Sequence, residues 1–102
     1  MSYNGCANYE TWAVKLWLDN EEYSQRYWEA EAREALEESA DEDNPKAEAM
    51  VILAENLESF LEANTPTTSG LYQDLLTAAI GEINYLEIAE AWLEDVEIEV
   101  EV

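Results

Sequence analysis

Between Asn44 and Asn64 the chain sorts its residues into two sets that only a helix keeps apart. Met50, Leu53, Leu57, Phe60 and Leu61 fall on one helical stripe, while Glu48, Glu55 and Glu62 recur every seven residues off it, with Glu58 nearby. A strand would mix the two sets on each of its faces, because its side chains alternate with period two. The start is equally explicit: Asn44 is a good N-cap, and Pro45 fits the first helical position, where its missing N–H forfeits no hydrogen bond. This segment predicts a helix over 45–63.

The same reading extends along the chain. Asn8 caps a predicted helix over 9–19, in which Trp12 and Leu16 lie on one line and Val14, Trp17 and Leu18 on a neighbouring one. Trp12, Leu16 and Trp17 are read as helix–helix core. After a break near Asn20, a helix over 21–39 places Tyr23, Tyr27 and Ala30 beside a row of Trp28, Ala32, Ala35 and Leu36, with glutamates on most of its remaining face. Asn64-Thr65-Pro66-Thr67-Thr68-Ser69-Gly70 is a loop signal, and a shorter helix over 71–80 is expected to carry Tyr72, Leu75, Leu76 and Ala79 inward before Gly81 ends it.

Asn84 and Glu87 have capping-box spacing, with Asn in place of Ser or Thr, and start a last helix through Leu86, Ala89 and Leu93 with Trp92 beside them. From Val96 the pattern changes: Val96, Ile98, Val100 and Val102 alternate with Asp95, Glu97, Glu99 and Glu101. This end reads either as a short strand or as an acidic tail. A strand would pair with a second copy, with a target's sheet edge, or in a hairpin with residues 2–7. The expected fold class is all-α: one domain over 1–102, a small bundle of four or five helices with an extended stretch over 1–8.

Charge limits what such a bundle does. Twenty-five Asp and Glu face two Lys and two Arg, a formal net charge of −21, yet 48% of the residues are hydrophobic, so the chain folds despite its self-repulsion. There is no histidine, which removes the commonest general base and metal ligand, and Cys6 alone builds neither a disulfide nor a cysteine metal cluster. Asp41-Glu42-Asp43-Asn44-Pro45 offers oxygen ligands but lacks the glycine that an EF-hand needs at its sixth loop position, and Ile52 stands where the glutamate belongs. Gly5, Gly70 and Gly81 make no phosphate-cradling loop. No enzymatic activity, cofactor or metal is expected.

No stretch approaches ~18 uninterrupted apolar residues, and Met1-Ser2-Tyr3-Asn4-Gly5-Cys6 lacks the basic region and apolar core of a signal peptide. The expectation is a cytoplasmic protein. Anionic lipid and nucleic acid phosphates would both repel it, whereas a basic groove would attract it. The expected partners are a basic nucleic-acid-binding protein, a defence nuclease, and a second copy of the chain in a homodimer, with neither membrane nor direct nucleic acid contact.

Asn8-Tyr9-Glu10-Thr11-Trp12-Ala13-Val14-Lys15-Leu16-Trp17-Leu18-Asp19-Asn20, with Trp28 following, resembles an NYETW-type segment of small uncharacterised proteins of bacteria, phages and mobile elements. The resemblance spans about a fifth of the chain and carries no catalytic or ligand assignment. It implies a mobile-element setting.

The acids themselves form rows. Glu31, Glu34, Glu38 and Asp41 follow one another at helical spacing, with Asp43 beyond them; Glu48, Glu55, Glu58 and Glu62 make a second row, and Glu87, Glu90, Glu94 and Asp95 a third. Acids three and four residues apart stand roughly 5–6 Å from each other, comparable with the one charge per ~1.7 Å of axis that B-DNA presents over two strands. These residues are the candidate phosphate mimics, placed to occupy the DNA channel of a restriction enzyme or CRISPR effector. In size and composition the chain is similar to phage-encoded DNA-mimic inhibitors of those systems, which are small, very acidic and often dimeric. The alternative is salt adaptation, in which an acidic interaction module gains carboxylates because molar salt screens them.

Overall fold

A computed structural model describes residues 4–101, with side chains described through Val96. It contains five helices: α1 (Tyr9–Asn20), α2 (Glu22–Glu38), α3 (Pro45–Asn64), α4 (Gly70–Gly81) and α5 (Tyr85–Glu101). The all-α expectation holds, and the caps explain where the elements begin. Asn8 is extended and accepts from the Thr11 N–H through Oδ1 at 2.9 Å; Asn44 accepts from the Ala47 N–H at 3.2 Å, with Pro45 in the first turn. Glu21, at φ −98° and ψ 118°, makes the break between α1 and α2.

The core is built by α2, α3 and α5. Trp28, Ala32 and Ala35 meet Ala49, Leu53, Ala54 and Leu57, and both groups meet Ile88, Ala89, Trp92, Leu93 and Val96. Trp28 and Trp92 stack with centroids 5.2 Å apart and planes 16° from parallel, and Phe60 meets Trp28 edge-on at 5.5 Å. Burying an indole leaves its N–H in need of an acceptor, and Trp92 Nε1 donates to Asp19 Oδ1 at 3.0 Å. Lys15 Nζ donates to the other oxygen of the same carboxylate at 2.6 Å. Asp19 therefore pins α1 to α5.

The first helix packs on α2 and α5 with Val14 and Leu18, and Thr11 is fully buried. These three positions share a face roughly opposite to the Trp12–Leu16 line at 100° per residue. The reading of Trp12, Leu16 and Trp17 as core is corrected accordingly: Trp17 is 76% exposed, Leu16 is exposed and Trp12 is half-buried. Both lines of α1 are apolar, and the choice between them is made by the residues that reach α5. On α2, the Trp28–Ala32–Ala35 row is buried, while Tyr23 and Tyr27 are exposed.

Two other expectations are overturned. The strand or tail from Val96 does not form: the helical backbone of α5 runs on to Glu101, Val96 is fully buried in the core, and Val102 lies outside the described residues. No Gly or Pro lies between Tyr85 and Glu101, so extending a nucleated helix costs less than starting a new element, whatever the local alternation. The hairpin with residues 2–7 has no strand to pair with, and residues 2 and 3 lie outside the described residues. The fourth helix forms as expected, but none of its side chains is buried, and Tyr72 and Leu75 face solvent. It packs extensively on no other helix. Its separation fits a Cα radius of gyration of 14.6 Å, against about 13 Å for a compact chain of this length.

Candidate functional site

Packing α2, α3 and α5 on one another turns their remaining faces outward, and the acids sit on those faces. Because α2 ends at Glu38, however, Asp41 does not continue its row and lies with Asp43 in the loop before α3. Glu34, Glu38, Asp41, Asp43, Glu48, Glu55, Glu58, Glu62, Glu90, Glu94 and Asp95 are all exposed, and Glu31 is half-buried. Spread along the 47 Å long axis of the molecule, a net charge of −21 amounts to about one charge per 2.2 Å, close to the ~1.7 Å of duplex DNA. The other two dimensions are 27 and 25 Å. The anions are thus carried on a rod-like body by helices whose positions are set by a shared core.

Glu87 is the exception among the candidate residues. It is half-buried, and both of its carboxylate oxygens accept from the Ala7 N–H, at 2.7 and 2.9 Å. Its own N–H is capped by Asn84 Oδ1 at 3.1 Å, so one half of the expected capping box forms. The reciprocal half is replaced: the Asn84 N–H donates to Thr11 Oγ1 at 2.9 Å, and Thr11 in turn donates its hydroxyl to Asn8 Oδ1 at 2.6 Å. Asn8 Nδ2 completes the set by donating to the Glu82 carbonyl at 2.6 Å. The start of the NYETW-type segment is therefore a clasp that joins the N-termini of α1 and α5.

Bases within the chain do little to mask the acids. Lys15 pairs with Asp19, Arg26 with Glu22 and Lys46 with Glu94 at 3.7 Å, so of these three pairs one draws on the candidate rows. The neighbouring tyrosines register the negative field. A hydrogen bond to Glu31, followed by burial and the charges of Glu31 and Glu34, raises the Tyr27 pKa above its ordinary value. Burial, then the charges of Glu58 and Glu62, raises that of Tyr85.

A groove of about 580 Å³ runs between α3 and the start of α5, lined by Val51, Ala54, Tyr85 and Leu86 and rimmed by Glu55 and Glu58. Among the described residues, no three Asp, Glu or Cys side chains converge in a way that would hold a metal ion. No described helix is long and apolar enough to cross a membrane.

Sequence reasoning located the exposed acids but missed Asp19 and Thr11 as structural anchors. The i,i+4 spacing of Lys15 and Asp19 was a visible signal for the ion pair. Nothing local marks the contacts of either residue with α5, 73 residues away.

Architecture and surface together define a small, acidic, five-helix protein with its carboxylates displayed on a packed body. The chain belongs to the family of unknown function DUF7249, whose model matches residues 1–97. The match runs far beyond the NYETW-type segment and takes in all three acidic rows. No curated protein and no solved structure matches the chain.

Proposed function

We propose that this chain is a phage- or mobile-element-encoded inhibitor of a host defence nuclease, a restriction enzyme or a CRISPR effector. It acts in the host cytoplasm as a nucleic acid mimic that occupies a basic DNA-binding groove. One observation supports the reading above all: exposed carboxylate rows on three helices are anchored to a single core, at a linear charge density near that of a duplex. Lysines and arginines that would meet phosphates in the target would pair with these carboxylates instead. Inhibition is steric and electrostatic, and no bond is made or broken.

The test is capture from host lysate followed by competition. Immobilised protein retains a DNA-binding nuclease at ~0.05 M salt and releases it at ~0.5 M, since the opposed charges are screened together. The purified nuclease then loses its DNA as the protein is added. Retention that is indifferent to salt, or a partner that keeps its DNA, would falsify the mimicry.

A further inference from the structure

Carboxylates are sparse in two stretches of the chain: residues 1–18, where Glu10 is the one acid and Lys15 offsets it, and residues 63–81. Residues 63–81 contain a single acid, Asp74, and no base, whereas the other 83 residues contain 24 acids. This stretch is the loop before α4 and α4 itself, the helix with no buried side chain and no extensive packing on its neighbours. One side of it stands in water, with Leu71 68% exposed, Tyr72 72% and Leu75 58%, while Leu76, Ala79 and Ile80 are half-buried. Leu71, Leu75 and Ala78 follow at i, i+4 and i+7 and form a stripe, with Tyr72 beside it and Asp74 at its edge.

We infer that this face of α4 is where two copies of the chain meet. The argument is one of charge. A basic partner gains most from the carboxylate rows and almost nothing from a helix with one charge, so its natural place is on α2, α3 or α5. A second copy carries the same −21 and is repelled wherever acids face acids; it approaches closely only through a surface that brings almost none. The outer face of α1 is also poor in charge and exposes Trp17, but α1 is held against α2 and α5, whereas α4 is the least packed helix among the described residues and its stripe is bordered by one acid, Asp74. Helices offering leucines beside a small alanine can pack closely across a two-fold axis, each copy giving the same patch. Four side chains per copy fall well short of the ~800 Å² per partner of a standard interface, so the dimer is a weak, concentration-dependent one.

This inference does not depend on the inhibitor reading, and salt separates the two. Binding to a basic groove weakens with salt, whereas self-association of two anionic copies strengthens, because screening removes the repulsion and leaves the apolar contact. Sedimentation equilibrium of the full chain over a concentration series is expected to show a monomer–dimer equilibrium that tightens roughly tenfold between ~0.05 and ~0.5 M salt. Leu71→Glu and Leu75→Glu, each at an exposed position, are expected to weaken it by roughly tenfold or more with unchanged circular dichroism. Amide NMR shifts on dilution are expected to concentrate on α4, which locates the contact without any substitution. A protein that stays monomeric at high concentration and high salt, folded variants that associate like the parent, or shifts confined to other helices would each overturn the proposal.

Discussion

The hydroxyl of Thr11 accepts from the backbone N–H of Asn84 at 2.9 Å and donates to Asn8 Oδ1 at 2.6 Å, so one buried side chain serves the first turns of two helices. The Asn84 N–H has no partner within α5, being at a helix start, and Thr11 supplies one. Replacing Thr11 with Val keeps the shape and strands the Asn84 N–H, while Asn8 Oδ1 loses one of its two donors and keeps the Thr11 N–H. Thr11→Val is expected to cost about 1–3 kcal/mol. In a thermal melt that is a fall of about 4–8 °C for each kcal/mol in a domain of this size, and Thr11→Ser, which keeps the hydroxyl, should lose much less.

Neutralising the acids of α3 separates surface from scaffold. Glu48, Glu55, Glu58 and Glu62 are exposed, and their replacement by Gln removes like-charge neighbours such as Glu55–Glu58 and Glu58–Glu62. The quadruple variant is expected to melt at or slightly above the parent temperature while losing roughly tenfold or more in competition with DNA at low salt. Equal competition by parent and variant would move the interface away from α3.

Salt adaptation and purposeful charge predict different melts. A chain whose twelve core residues include two stacked tryptophans holds its fold at ~0.15 M salt, and molar salt raises its stability without being required for it. Circular dichroism with and without added salt reads this directly. A coil at ~0.15 M salt that folds only at molar salt would favour the salt-adapted reading.

Alkaline pH should weaken the fold through Tyr27 and Tyr85. Each has its folded-state pKa raised above the ordinary value of 10.0, Tyr27 mainly by its hydrogen bond to Glu31 and Tyr85 mainly by burial. The folded protein keeps these protons where the unfolded chain begins to lose them. Their contribution is complete below about pH 10 and is lost as pH rises through the raised values. Urea unfolding from pH 9 to 12 should show falling stability in the parent and a flatter profile in Tyr27→Phe/Tyr85→Phe.

Ser39, at the end of α2, is 1% exposed, and its hydroxyl has no hydrogen-bond partner among the described residues. A buried hydroxyl without a partner loses its hydration for no return. Ser39→Ala is expected to stabilise the protein by about 1 kcal/mol, visible as a shift of the urea midpoint with unchanged slope.

Helix boundaries were readable because their signals are local. Asn8, Asn44-Pro45 and Asn84 each act within four residues, and the stripe through Leu53 and Leu57 lies where its period puts it. Orientation was less readable. In α1 two apolar lines competed, and Thr11 and Asp19, which decide between them, act on Asn84 and Trp92 far along the chain. In α4 the apolar pattern correctly gave a helix but carried no information on whether this chain supplies a surface to cover it. At the C-terminus strict alternation imitated a strand, and the cooperative extension of α5 outweighed it. Of the acidic rows, all but Glu31 and Glu87 could be read as surface from spacing alone; both are half-buried, and Glu87 was lost to that reading because its partner is a backbone N–H eighty residues away.

Three of the four indole rings lie at the two extremes, Trp28 and Trp92 stacked in the dry interior and Trp17 in water, with Trp12 half-buried between them. Their emission therefore reports on two events without any added dye: interior rings shift to the red only when α2 and α5 come apart, while the outer ring responds to whatever settles against α1. A titration followed at both ends of the emission band would tell a docked partner from a melted bundle in a single cuvette.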